Sequence, residues 1–235
     1  VRWISQRKNK WFCYVPFTAV HTPIRATEQW LNLYEAQTLD DEPERNRSFR
    51  EYAAYTTQMD DAVGRLLEAL KCLDVLSETV VVFASDNGAP VSDAYEDTAL
   101  YPGRYPRMPR TGTNHPLKGR KGQLYEGGIR TPCTVLYPGF AQGRPIDTDI
   151  HIVDWLPTFA AMIGAKAPQT DGVNVLGALL GEGETPGRSL YWNMDHASFA
   201  VKREGWKLTV NADRKSGREE LYNLDADPFE REDCL

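Results

Sequence analysis

The chain has 235 residues, 41% of them hydrophobic and 26% charged, and a formal net charge of −6 at pH 7. These values are typical of a globular protein that buries a sizeable core, and the negative charge argues against a general nucleic-acid-binding protein. No apolar run approaches the roughly 18 residues that a membrane-spanning helix requires, so no membrane span is predicted. The four cysteines show no C-x-x-C spacing, which argues against a zinc site.

The first predicted strand covers residues 10–17, KWFCYVPF, a run of apolar and aromatic residues. His21 follows in the loop after this run. A histidine near the end of a strand is a candidate for a binding site, although a single histidine is more often an ordinary polar residue. The charged segment at residues 40–45 predicts an exposed loop, in which Asp40 and Asp41 belong to the solvated surface rather than to a metal site.

A helix is predicted over residues 51–73, where apolar side chains recur at spacings of three and four. This helix leads directly into a second apolar run that begins at Thr79. A strand, a helix and a further strand in this order predict a βαβ unit.

The stretch from Thr79 to Gly88, TVVVFASDNG, predicts a strand buried on both faces, as in a parallel sheet. Asp86 and Asn87 stand at its end, where open α/β sheets bind their ligands. Their oxygens suit calcium or magnesium rather than zinc, but calcium takes roughly six to eight oxygens, so other ligands must come from elsewhere. The alternative is a simple turn, because Asp-Asn-Gly is also favourable turn chemistry.

A long loop rich in proline and glycine covers residues 91–123. Between Tyr101 and Tyr125 it carries basic side chains and no acidic one, namely Arg104, Arg107, Arg110, Lys118, Arg120 and Lys121. Such a local positive field favours an anionic substrate, and a solvated basic loop is the alternative. The three arginines recur at every third residue, so they would share one side of a polyproline-like segment.

The predicted elements after the basic loop differ before and after Gly164. A third strand is predicted over residues 130–137 and a helix over residues 149–163. Short segments separated by turn residues then predict an antiparallel meander. We therefore predict that residues 1–165 form the larger part, a mostly parallel sheet flanked by helices, and that residues 166–235 form a smaller subdomain with an antiparallel sheet.

The candidate side chains together suggest one kind of chemistry. A metal at Asp86 and Asn87, with the basic Gly119–Gly122 loop, could stabilise developing negative charge, while His21 could hand a proton to a leaving oxygen. The chemistry implied is hydrolysis or transfer at sulfur or phosphorus.

Six motifs in a fixed order make the sequence resemble one known family. They are residues 17–23 (FTAVHTP), 59–67 (MDDAVGRLL), 83–88 (FASDNG), 119–130 (GRKGQLYEGGIR), 154–158 (DWLPT) and 221–225 (LYNLD) with Asp227-Pro228 after it. The sequence is similar to the C-terminal half to two thirds of a sulfatase of the arylsulfatase type, within the alkaline-phosphatase-like superfamily. The resemblance covers nearly the whole chain and implies the fold of that superfamily.

The resemblance also implies roles for single residues. Asp86 and Asn87 match a pair of calcium ligands, with magnesium as a further possibility for the metal. His21 matches a histidine that contacts the sulfate ester and can protonate the leaving group, and Lys121 matches a lysine that binds the sulfate. Lys118 and Arg120 flank the motif as steering charges.

The sequence departs from the family in one respect. Sulfatases use a formylglycine made within a C/S-x-P-x-R motif and a further acidic pair on the metal, and neither is present here. Because the chain begins with Val and shows no signal peptide, we interpret it as a fragment, a processed chain or a truncated paralogue, with formylglycine expected in a preceding companion segment.

The resemblance therefore implies calcium-dependent hydrolysis of a sulfated small molecule or glycan, in a secreted, periplasmic or lysosomal setting. Two alternatives remain open. One is a phosphodiesterase or phosphonate hydrolase of the same superfamily, and the other is a sulfatase-like binding module without catalysis.

Overall fold

The computed structural model describes residues 2–90, 111–137, 143, 145–183, 185, 187–214 and 217–235. The predicted row of Arg104, Arg107 and Arg110 lies outside these residues. Contacts divide the chain into two compact units, one from Val1–Thr79 with Ala89–Thr113 and the other from Val80–Gly88 with Asn114–Leu235. In the described part of the chain, no helix is both long and apolar enough to cross a membrane.

The first unit is helical in its described residues. Its elements are α1 (Arg2–Ser5), α2 (Glu28–Leu31), a 3₁₀ turn (Asn32–Tyr34), the long helix α3 (Pro43–Cys72) and a second 3₁₀ turn (Leu76–Glu78). The helix predicted over residues 51–73 is confirmed, but it begins at Pro43. Pro43 suits the first helical position, and the Glu42 carboxylate accepts hydrogen bonds from the backbone N–H groups of Glu44 and Arg45.

The strand predicted over residues 10–17 is wrong. These residues form neither helix nor strand, and Phe12 and Tyr14 are 73% and 78% exposed. A strand needs a neighbouring strand to satisfy its backbone hydrogen bonds, and the described residues of the first unit contain no strand that could pair with it. The predicted βαβ unit is wrong for the same reason, since no strand precedes α3 among the described residues 2–42.

The second unit contains all the described strands. Its elements are β1 (Val81–Ala84), α4 (Glu126–Ile129), β2 (Cys133–Leu136), a 3₁₀ turn (Ile152–Asp154), α5 (Trp155–Met162), α6 (Leu176–Leu180), β3 (Leu190–Asp195), β4 (Ser198–Arg203), β5 (Trp206–Val210) and β6 (Glu219–Asn223). The predicted third strand corresponds to β2, and the predicted helix over residues 149–163 to the 3₁₀ turn and α5.

Strands β1 and β2 pair antiparallel, with Val81 opposite Leu136 and Ala84 opposite Cys133. The prediction that β1 lies buried in a parallel sheet is therefore wrong for this pair, and Phe83 is 42% exposed. An apolar run of this length is compatible with either orientation, because hydrophobicity reports burial rather than strand direction.

Strands β3 to β6 form a separate four-stranded antiparallel sheet in sequence order, so the predicted C-terminal meander and the mixed α/β class are confirmed. The inner face of this sheet is unusually polar. Lys207, Thr209 and Glu220 are fully buried, whereas Trp206 is 44% exposed. The boundary predicted between residues 165 and 166 stays a prediction.

The core of the second unit joins this sheet to the segment before α4. Its buried members come from both parts, namely Leu124, Tyr125, Ala200, Ala212, Tyr222 and Leu224.

The second unit also buries the carboxylate of Asp154. It accepts hydrogen bonds from the Arg188 guanidinium and from the Val173 N–H at 3.0 Å. Burial acts to raise the pKa of Asp154, but these hydrogen bonds hold it below its ordinary value.

Candidate functional site

The turn after β1, residues 85–88, is fixed by backbone contacts with the segment around α4. The Ser85 N–H donates to the Pro132 carbonyl at 3.2 Å, and the Gly88 N–H donates to the Gly128 carbonyl at 3.0 Å. A Cβ at position 88 would lie 1.8 Å from the carbonyl oxygen of Gly127. Glycine is therefore required at position 88, because any side chain would push the turn away from α4.

Asp86 and Asn87 present oxygen ligands at this turn. Asp86 is exposed and Asn87 half-buried, and the Asn87 amide nitrogen donates to the Gly88 carbonyl at 3.0 Å, which leaves its Oδ1 available. Within the described residues no side chain bonds the Asp86 carboxylate. These oxygens suit a hard cation such as calcium.

The same residues do not complete a metal site. No cluster of three or more His, Cys, Asp or Glu side chains that could hold a metal occurs in the part of the chain that the structure describes. That Asp86 and Asn87 bind a metal therefore stays a prediction, and such a site would need further ligands.

The segment from Lys118 to Glu126, here called the lysine loop, presents Lys121. The loop closes through a hydrogen bond from the Gly127 N–H to the Lys118 carbonyl at 2.6 Å. Gly119 and Gly122 adopt positive φ angles of 87° and 81°, a conformation that favours glycine. Lys121 lies between them and is half-buried, and none of the described residues forms an ion pair or hydrogen bond with its ammonium group.

Lys118 has a different environment from Lys121. Its Nζ donates to the Tyr222 hydroxyl at 2.7 Å and to Glu220 at 3.3 Å, and it lies 4.3 Å from the centre of the Tyr125 ring. Its charge is therefore engaged by the C-terminal sheet, which differs from the steering role that the sequence suggests.

Backbone contacts connect the residue 85–88 turn to the lysine loop. Gly88 bonds Gly128, and the neighbouring Gly127 closes the lysine loop. The Asn114 side chain lies between the two segments. Its Nδ2 donates to the Gly119 carbonyl at 3.2 Å, and its Oδ1 is close enough to Gly88 that a Cβ added there would lie 3.1 Å from it. The structure thus brings the Asp86 and Lys121 segments onto one backbone framework.

His21 belongs to the first unit and is described within it. Its Nδ1 lies 2.6 Å from the Thr22 carbonyl oxygen. Because a carbonyl only accepts hydrogen bonds, Nδ1 carries a hydrogen in this contact. The role predicted for His21 stays a prediction.

Sequence reasoning missed a second group of residues, the polar side chains, most of them buried, at the end of the lysine loop and around it. They are Asn114, Glu126, Lys207, Glu220 and Glu230, and all but Asn114 are at most 4% exposed. Lys207 within the short strand β5 is the one signal that could have indicated this group, because a buried lysine must find a partner.

Comparison with known proteins identifies relatives over the whole chain. The family model described as Sulfatase matches residues 1–165. A sulfatase from Formosa agariphila is 30% identical over 98% of this chain and 43% of its own length, and human arylsulfatase A is 35% identical over 64% of this chain and 28% of its own length.

A solved structure agrees with these relatives. The crystal structure of Ps i-CgsB in complex with k-i-k-neocarrahexaose has a TM-score of 0.78 and 26% identity over 99% of this chain and 48% of that chain. The chain thus spans less than half the length of each of these relatives. The extent of the family match shows that the chain belongs to the sulfatase family.

Proposed function

We propose that the complete protein to which these residues belong hydrolyses sulfate esters. One observation carries the proposal: none of the described residues bonds the ammonium group of Lys121, and its loop is connected through the backbone to the turn that presents Asp86. A half-buried lysine on a basic loop is suited to bind a sulfate group. Membership of the sulfatase family supports the same reaction.

Each residue has a distinct role in this proposal. Lys121 binds the sulfate and offsets the charge that develops on it. Asp86 and Asn87 would hold calcium, or magnesium, which when bound stabilises negative charge on the ester oxygens. His21 would protonate the leaving oxygen.

A companion segment is the second part of the proposal. No Cys or Ser of this chain lies in a C/S-x-P-x-R motif, so the formylglycine nucleophile and the other metal ligands would come from a segment outside these 235 residues. The exposed apolar side chains of Tyr14 and Val15 support a packing partner for residues 10–17. Denaturing mass spectrometry of native material would identify a peptide that carries formylglycine.

We further propose a sulfated sugar as the substrate class. Similarity to Ps i-CgsB, which was crystallised with k-i-k-neocarrahexaose, supports an oligosaccharide, and the basic segment around Lys121 supports an anionic one.

The experiment that tests the function is a substrate screen on the complete protein. We expect hydrolysis of aryl sulfates and sulfated oligosaccharides, and loss of turnover when a chelator removes the metal, with recovery on addition of calcium. Faster hydrolysis of phosphate esters than of sulfate esters would favour the phosphodiesterase alternative. Binding of sulfated sugars without turnover would favour the non-catalytic module.

A further inference from the structure

Buried charged residues from the C-terminal sheet hold both ends of the lysine loop. Lys118, at the start of the loop, bonds Glu220 on β6. Glu126, at its end, bonds Lys207 on β5. Between them, the Leu124 N–H donates to the Ala212 carbonyl at 2.9 Å. The sheet therefore contacts the loop on both sides of Lys121.

The Glu220 carboxylate is bonded by several donors near the start of the loop. Its fully buried carboxylate accepts hydrogen bonds from the hydroxyl groups of Tyr125 and Tyr222 and lies 2.8 Å from Arg218 Nη2. Burial acts to raise the pKa of Glu220, but the hydrogen bonds from the two tyrosines and Lys118 hold it below its ordinary value. The carboxylate is thus a charged anchor for the loop.

Lys207 and Glu230 hold the other end of the loop. Lys207 Nζ lies 2.9 Å from Glu126 Oε1 and 2.8 Å from Glu230 Oε1. The second Glu230 oxygen accepts the backbone N–H of Glu126 at 2.7 Å. All three side chains are almost completely buried, so this end of the loop is held through both its side chain and its backbone.

Stability alone is a weak explanation for these contacts. Transferring charges into a protein interior is costly, and apolar residues of similar size often give equal or greater stability. Buried ion pairs do, however, specify one geometry, because each charge must meet its partner. Here the geometry that they specify is the path of the backbone on either side of Lys121.

We infer that Lys207, Glu230 and Glu220 are positioning residues that fix the lysine loop so that Lys121 can bind its anion. The inference rests on the proposed function, in which that anion is the sulfate group. It gives the C-terminal sheet a part in the reaction although its residues need not touch the substrate. A displacement of about 1 Å in such a group can lower a rate about a hundredfold.

The test compares three variants of the complete protein. Lys207→Met removes the buried ammonium, and Glu230→Gln is the milder change. Lys202→Met is the matched control, because Lys202 lies on the same sheet and pairs with Asp149 at 2.7 Å without bonding the lysine loop. Each is assayed by amide hydrogen exchange of residues 119–124 and by kcat and KM for an aryl sulfate.

We expect Lys207→Met to speed exchange in residues 119–124 about tenfold and to lower kcat/KM about a hundredfold, while Lys202→Met changes neither. A folded Lys207→Met with wild-type exchange and kcat/KM would overturn the inference. If Lys207→Met does not fold, Glu230→Gln decides in the same way, with a smaller expected change.

Hydrogen exchange separates this inference from the proposed function. It needs no substrate, so it reports on the loop even in a protein that hydrolyses no sulfate ester. Absence of hydrolysis by the wild-type protein would therefore overturn the proposed function, whereas unchanged exchange in the folded variants would overturn the positioning role.

Discussion

The charged residues at the two ends of the lysine loop have bonded partners, whereas Lys121 at its centre has none among the described residues. At the ends, Lys118 and Glu126 are bonded to buried residues of the C-terminal sheet. At the centre, Lys121 has no bonded partner among the described residues, although it lies only three positions from Lys118. The difference agrees with our proposals that the charges at the ends fix the backbone and that Lys121 binds an anion.

The largest expected effect comes from the centre of the loop. Lys121→Ala should lower kcat/KM for an aryl sulfate about a hundredfold to a thousandfold, as loss of a charge-stabilising donor does in other enzymes. The free energy of unfolding should change by less than about 0.5 kcal/mol, because Lys121 bonds none of the residues that the structure describes. Steady-state kinetics and urea unfolding measure the two quantities.

Arg120→Ala is the matched control for that experiment, because Arg120 is the exposed neighbour of Lys121. It should leave kcat/KM within about twofold of the wild-type value, since exposed charges act mainly through screened long-range fields. Equal losses in both variants would mean that net positive charge, rather than Lys121 itself, is needed.

The comparison also shows how far the sequence could predict this region. Helix α3 could be predicted because its apolar spacing is local, and the turn at Asp86 and Gly88 could be predicted because these residues follow an apolar run. The faces of β5 could not. Its apolar residues alternate with polar ones, and a simple alternation rule places Lys207 in solvent.

Lys207 is buried because it pairs with Glu126 and Glu230. The sequence does not reveal this burial, because both partners are distant from Lys207 along the chain. Glu126 precedes it by 81 positions, and Glu230 lies on a segment beyond β6. Neither partner can be identified from a local pattern. The antiparallel pairing of β1 could not be predicted for a related reason, because its partner β2 is separated from it in sequence by the long basic loop.

The ends of the loop should show the opposite response to mutation. Lys118→Met should lower the free energy of unfolding by about 1–2 kcal/mol, because it removes a charged donor from the buried Glu220. Its kcat/KM should fall less than that of Lys121→Ala. Urea unfolding of the complete protein, followed by circular dichroism, measures the change, and wild-type stability would show that the Lys118 contact is not needed for the fold.

A pH dependence sharpens the same comparison. Hydrogen bonds keep the pKa of Glu220 below its ordinary value despite its burial. As the pH falls, Glu220 therefore stays ionised in the folded state at pH values where it already binds a proton in the unfolded chain. This stabilisation is present above the ordinary glutamate pKa of about 4.3 and is lost as the pH falls. Glu220→Gln should therefore lose less stability than the wild-type protein between about pH 5 and pH 3.

Binding of inorganic sulfate tests the availability of Lys121 most directly. Calorimetric titration of the complete protein with sodium sulfate should show binding that Lys121→Ala weakens at least about tenfold, or about 1.4 kcal/mol, and that Arg120→Ala leaves within about twofold. Equal affinity of the wild-type protein and Lys121→Ala for sulfate would contradict the assignment of Lys121 as the anion-binding residue.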